Sequence, residues 1–439
     1  MDSINSMKRL CIGFSAILFL ASCVAQKPEQ IIKEANVARL IKTLSADEME
    51  GRGTFTPGID RAAKFIENEF KQIGLKPLSG DTDFRQDFSV KRIKAGEINV
   101  TINGKLVDQQ NVLAISDLPS LKFNNTSGNS IIQITAGEQF IQRYREISAM
   151  KTEVLVLVDI KHAALFKRLK DNSSRGRIVE KVKDSGAAVF VLGESGASTY
   201  SVSASNSIEE LPLFNVAGML PGKSKEKELV LISAHYDHLG IVKSVDGDAI
   251  ANGADDDASG TTAVISLAQY YKKLNNNERT LIFVAFTAEE AGGFGARHFS
   301  SLLNPDEVVA MFNIEMIGKQ SKFGKNAAFI TGYERSDFGT ILQKNLEGTD
   351  FKFHPDPYPT QNLFYRSDNA TLAALGVPAH TISTDEIDID KFYHTVNDEF
   401  ETLAVSNIWA TIKAIALSAR SIVAGTDTPK RIPKLNSRQ

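Results

Sequence analysis

In the stretch FTAEEAGGFG, residues 286–295, Glu289 and Glu290 stand side by side directly after the apolar run RTLIFVA. Adjacent side chains on extended backbone point to opposite sides, so two carboxylates serving one site need different tasks. Alone, the pair reads as a solvated acidic turn. Four further stretches carry similar groups: AHYDHLG with His235, Asp237 and His238; NGADDDASG with Asp255, Asp256 and Asp257; FNIEMIG with Glu315; and KFYHTVNDEF with His394. Solvated turns do not account for the histidines. Imidazole and carboxylate without thiolate suit a catalytic site for zinc or a related divalent ion better than a closed structural one. Five such ligands exceed what one open tetrahedral ion takes; they suit two ions about 3.5–4 Å apart that share a carboxylate. The charges agree, since two divalent ions against three carboxylates and a hydroxide come to neutrality. One acidic residue is left to take a proton from water. One glutamate of the pair would then bind metal and its neighbour would act as base.

For these residues to meet, they must leave one edge of a sheet. From Pro212 onward strands alternate with helices: ELVLISA, TTAVISLAQYYKKL, RTLIFVAF, ARHFSSLL, EVVAMFNI, DFGTILQKNL, AHTIS and IWATIKAIALSARSIV. Near-continuous apolar strands in such alternation predict an α/β fold, with a mostly parallel mixed central sheet and helices on both faces. Sites in these sheets form beyond the carboxyl ends of the strands, where His235, Glu289 with Glu290, and Glu315 fall.

Residues 27–114 read as the N-terminal part of the same domain. AAKFIENEFKQIGL has helical spacing, GRGTFTPG is a loop between two helices, and 96–113 looks like a hairpin around Asn103 and Gly104. Residues 115–207 alternate the strands EVLVLVDI and AAVFVLG with the amphipathic segment RIVEKVKDSG, between Ser- and Asn-rich ends. They read as a small inserted α/β domain. Residues 208–427 read as the main part, expected to carry the catalytic groups, and 428–439 as a tail.

Taken together, SADEMEGRGTFTPG, NVAGMLPG, AHYDHLG, GADDDASG, FTAEEAGGFGARHF, FNIEMIG, RSDNATLAALGVPA and YHTVNDEF resemble the cocatalytic zinc aminopeptidases. That family shares its fold with glutamate carboxypeptidase and glutaminyl cyclases. The resemblance implies two zinc ions, or a related divalent metal. His235 is implied as a ligand of one ion, Asp256 as the bridge, Glu290 and Glu315 as terminal ligands, and His394 as a ligand of the other. The resemblance puts the bridge at Asp256 because, in the family's loop pattern, the bridging residue sits four before the glycine that is Gly260 here. Glu289 is implied as general base, and Asp237, two residues after His235, as the carboxylate that orients the imidazole. The implied reaction removes the N-terminal residue from peptides with a free amino terminus, through a metal-bridged water activated by Glu289. On EKVKDSGAAVFVLGE the inserted region resembles a protease-associated domain.

Glu315 departs from the family's usual aspartate, and its extra methylene moves the carboxylate by more than a bond length. A one-zinc, glutaminyl-cyclase-like enzyme therefore stays open, as do a glutamate-carboxypeptidase-like enzyme and a non-catalytic peptide-binding lipoprotein. Arg366, in FYRSDNA, suits bidentate binding of a substrate carboxylate or a salt bridge with Asp368. Tyr393, beside His394, stands as a second substrate contact. SDNA reads as a helix N-cap, and His238 as a loop histidine satisfied by backbone.

The chain's first residues set an expected location. MKRLCIGFSAILFLASC has the basic opening, apolar stretch and small residues of a secretory signal over residues 1–22. LASC resembles a bacterial lipobox, with Cys23 lipidated as the first mature residue. Export to the cell envelope and tethering to a membrane through that lipid follow. The sequence has 2 cysteines, and Cys11 falls in the segment expected to be removed, so no intrachain disulfide framework is expected. A net charge of -3 without a basic stripe gives no footprint for nucleic acid.

Overall fold

The computed structural model describes residues 28–435 except 79, 175, 184 and 185, so the proposed signal and Cys23 lie outside the described residues. Four parallel strands form the centre of the main sheet, in the order Ala379–Ser383, Val308–Ile314, Lys225–His235 and Arg279–Phe286. Every residue of Arg279–Phe286, Val308–Ile314 and Ala379–Ser383 is buried, which is why the first two read as largely apolar runs rather than alternating ones. Burying a side chain such as Leu231 or Phe312 contributes about 1.5–3 kcal/mol.

Helices cover both faces. On one side Gly260–Leu274 packs with Glu34–Leu44, Pro57–Ile73 and Val405–Ser418 over a core that includes Val230, Ile232, Phe283 and Phe312. On the other, Phe294–Leu302 and Asn369–Ala374 cover Leu231, Val284 and Met311. Helix Gly260–Leu274 is enclosed by sheet and helices together and is buried almost all round up to Tyr271.

Two long strands, Arg85–Ile102 and Tyr200–Leu220, pair antiparallel along most of their length, with an irregularity between Ala95 and Ile98. Tyr200–Leu220 joins the main sheet by pairing antiparallel with Arg279–Phe286. The segment between the long strands carries a separate sheet of four strands, ordered Val112–Ser116, Ala187–Leu192, Glu153–Val158 and Ser130–Ile134.

Two local expectations change. The predicted hairpin over 96–113 turns at Asn103 and Gly104, both at positive φ, but its return strand is only Lys105–Leu106; Arg85–Ile102 spends its pairing on Tyr200–Leu220 instead. RIVEKVKDSG contributes the short strand Arg177–Val179, and the helix of that region lies earlier, at Ala163–Ser173. Strand Arg177–Val179 pairs with Arg85–Ile102, a long-range partner that local periodicity does not register.

Candidate metal centre

Three of the parallel strands deliver polar residues at their carboxyl ends. His235 closes Lys225–His235, Glu289 and Glu290 follow Arg279–Phe286, and Glu315 follows Val308–Ile314. Asp256 sits in the tight turn Ala254–Ser259 that opens into the helix Gly260–Leu274. Gly260 is required there: a Cβ would lie 2.2 Å from the carbonyl oxygen of Ile314 and 2.5 Å from Asp257. His394 comes from the loop before Val405–Ser418 and has φ 58, a backbone strained for a non-glycine residue.

Asp256 is the hub. Its Oδ1 lies 3.2 Å from Nε2 of His235, and its Oδ2 lies 3.2 Å from Nε2 of His394. Nε2 of His394 is also 3.3 Å from Glu290. His238, expected to be satisfied by backbone, instead has both ring nitrogens buried without a hydrogen-bond partner. Its Nδ1 stands 2.9 Å from Glu290 and 3.7 Å from Asp256. His238, Asp256 and Glu290 offer ligand atoms that all lie within 4.8 Å of one another. Gly253, at φ 58, makes room for that ring: a Cβ there would meet His238 at 2.5 Å.

The donor set fits a divalent cation. Nε2 of His235, both nitrogens of His238, Oε1 of Glu290 and Oε2 of Glu315 are all buried without hydrogen bonds. Buried polar atoms are normally paired, so a cluster of orphans that are all metal-ligand types points to an ion as their partner. Burial alone would push Asp256 up, but His238 and the contacts to His235 and His394 hold it well below the usual carboxylate range. Burial works against a charged His394, yet Asp256 and Glu290 raise it to about 10.

Asp237 does something other than expected. The Nδ1 of His235 lies 3.1 Å from the main-chain carbonyl of Asp237 and 3.8 Å from its carboxylate. That carboxylate accepts the main-chain N–H groups of Glu289 at 3.0 Å and Glu290 at 3.3 Å, and the hydroxyl of Thr54 at 3.0 Å. The carbonyl orients the imidazole, and the carboxylate fixes the turn carrying both glutamates.

The sequence reading passed over two further supports. Arg52, in the GRG loop, is fully buried, and its guanidinium donates to the carbonyls of Leu44, Tyr236, Asn252, Gly253 and Asp256 at 2.5–3.2 Å. It ties the His235 and Asp256 loops to the first helices. Asp398 accepts the N–H groups of Asp255 and Asp256 at 3.0 Å. The signal for Arg52 was a charged residue between two glycines; its partners lie too far along the chain to be read.

Glu289 and Glu315 face the same cleft. Burial drives Glu289 well above its usual range, and the like charges of Glu315 and Asp368 add to it against the pull of His235. Burial likewise raises Glu315, which Ser367 hydrogen-bonds. The expected N-cap at Asp368 is absent: its side chain caps nothing, and both oxygens are buried without a partner. Burial and Glu315 push it up to about 8. Arg366 makes no ion pair with Asp368 among the described residues; it donates to Gln361 at 3.3 Å. Arg366 and Tyr393 both line the cleft of about 180 Å³, with Met316, Phe329, Leu363 and Ile387 as its apolar wall. Tyr393 stacks on His394 with ring centres 3.9 Å apart. The other histidines stay away: His162 stacks on Phe140, His298 on Phe88, His354 on Phe323 and His380 on Phe338.

Residues 215–419 match the family model described as Peptidase family M28. Aminopeptidase YwaD of Bacillus subtilis is 22% identical over 237 residues, covering 50% of this chain and 47% of that protein. The chain spans about half the length of the curated relatives it matches. Among solved structures, the aminopeptidase from Aneurinibacillus sp. strain AM-1 is similar, with TM-score 0.53 and 19% identity over 94% of this chain and 98% of that one. BSAP, a zinc aminopeptidase from Bacillus subtilis, gives TM-score 0.54 and 16% identity over 93% of this chain and 97% of that one. At these identities the structures establish a shared fold.

Proposed function

We propose, from the match of residues 215–419 to the model of Peptidase family M28, that the protein is a zinc-dependent aminopeptidase holding two ions. The observation that carries this reading is Asp256, whose two carboxylate oxygens face two different imidazoles at 3.2 Å each. A carboxylate so placed would be able to serve two cations, one beside each imidazole. His235 and Glu315 would complete one position; Glu290 and His394, with His238 alongside, would complete the other.

When bound, the ions would supply Lewis acidity for the scissile carbonyl and for a water. The residues do the rest. Glu289, which faces the same cleft as Glu315, takes a proton from the attacking water and passes it to the leaving amine. Asp237 holds the Glu289 turn in place. Tyr393, stacked on His394, and Arg366 border the bound peptide. The crowd of carboxylates favours a cationic group near the ions, which a free α-amine provides.

Zinc removed by a chelator and then restored tests the reading. Release of N-terminal residues from peptides should stop and return with metal. Undiminished release by the metal-free protein would overturn it. Within the same proposal, Cys23 carries the lipid that holds the enzyme at the cell envelope; a Cys23→Ser protein that stayed with membranes in high salt would remove that anchor.

A further inference from the structure

Lys319 lies directly after the Glu315 loop, with its side chain only 17% exposed. Its ammonium lies 3.5 Å from Asp255, 3.7 Å from Asp398 and 3.9 Å from Asp390. Each carboxylate belongs to chain that carries a candidate ligand. Asp255 immediately precedes Asp256, whereas Asp390 and Asp398 lie four residues before and after His394. Asp385 joins Asp255 and Asp390, their ligand atoms lying within 4.8 Å of one another.

The main chain around Lys319 is fixed independently. Its carbonyl accepts the Thr384 hydroxyl at 2.6 Å and the Asn407 amide at 2.7 Å, and the Gly318 N–H donates to Asp255 at 2.6 Å. The ammonium is buried and makes no hydrogen bond. It sits between the carboxylates instead of pairing with one of them. Like charges crowded in a water-poor space repel strongly, and buried charges persist only where they are compensated. Lys319 faces three of these carboxylates at once. Without it, Asp390 would lose a counter-charge at 3.9 Å, whereas Asp398 would keep the N–H groups of Asp255 and Asp256; His394 lies between the two in sequence.

We propose that Lys319 is a positioning residue of the metal centre. Its one ammonium gathers the Asp256, Glu315 and His394 loops, and so sets the distance of His394 from Asp256 and Glu290. The affinity for the ion that His394 would hold follows from that distance. The inference rests on reading the site as a metal centre.

The test titrates metal-free proteins with Zn2+ against a chromophoric chelator, with circular dichroism to check folding. Lys319→Met should weaken zinc binding by about 10-fold or more, the range seen when groups supporting metal ligands are removed. Lys319→Arg should recover most of that loss. In a His394→Ala background, Lys319→Met should change affinity by less than about 2-fold, because the ligand it positions is already gone. Should Lys319→Met fail to fold, Asp390→Asn cuts the same tie from the other side and should weaken binding several-fold. Wild-type zinc affinity in whichever of these variants folds, or an equal loss with and without His394, would overturn the role of Lys319. A wild-type protein that binds no zinc would instead sink the metal-centre reading itself.

Discussion

The carboxylate of Asp237 receives the main-chain N–H of Glu289 at 3.0 Å, so the aspartate two residues after His235 fixes the turn that presents the candidate base. Asparagine in its place keeps the shape but turns one acceptor into a donor, facing an N–H that needs an acceptor. Asp237→Asn should lower turnover by about 10- to 100-fold, as removal of a supporting group does, while zinc content stays near wild type. Steady-state kinetics beside metal analysis checks this. Loss of zinc in proportion to activity would mean that Asp237 serves the ion and not the turn.

Glu289→Gln separates the base from the ligands more sharply. The amide cannot accept the water's proton, so turnover should fall by about 100-fold or more. Zinc affinity should hold, since Glu290, one residue on, approaches His394 and His238. A variant with wild-type turnover would remove Glu289 from the reaction.

His380 gives a pH dependence independent of the metal. It stacks on Phe338, its Nδ1 lies 2.8 Å from the Thr331 carbonyl, and its Nε2 lies 2.8 Å from the Ser336 hydroxyl. Burial lowers its pKa from 6.5 to about 4. Between those values the unfolded chain takes up a proton that the folded chain refuses, so stability falls as pH drops from 6.5 towards 4. In the metal-free protein, the stability difference between wild type and His380→Asn should shrink across this window by on the order of 3 kcal/mol. Urea unfolding at several pH values measures it. A difference that does not vary with pH would show that His380 accepts its proton while folded.

The strands ending at His235, Phe286 and Ile314 were legible because a buried parallel strand is a local apolar run, and the polar residues after it are local too. What decides the roles of those residues was not local. Asp237 reads as a partner of the His235 imidazole by its spacing, yet its carboxylate turns to Glu289, some fifty positions later. Arg52 reaches carbonyls about two hundred residues away. His238 looked like a spare loop histidine because its relation to Glu290 exists only across two strands. RIVEKVKDSG misled for the opposite reason: its helical spacing is real, but an available edge of Arg85–Ile102 draws it into a strand.

The most direct measurement compares one peptide in two forms, with a free and with an acetylated amino terminus, digested by the zinc-loaded protein and followed by mass spectrometry. The free peptide should lose single residues from its amino end, and the acetylated one should be cut at least about 100-fold less efficiently, equivalent to roughly 2.7 kcal/mol in transition-state binding. Groups built to meet an amine are left unpaired when it is blocked, and that is a larger penalty than an apolar pocket can impose. Efficient shortening of the acetylated peptide from its carboxyl end, or cyclisation of an N-terminal glutamine without any peptide cleavage, would contradict an aminopeptidase.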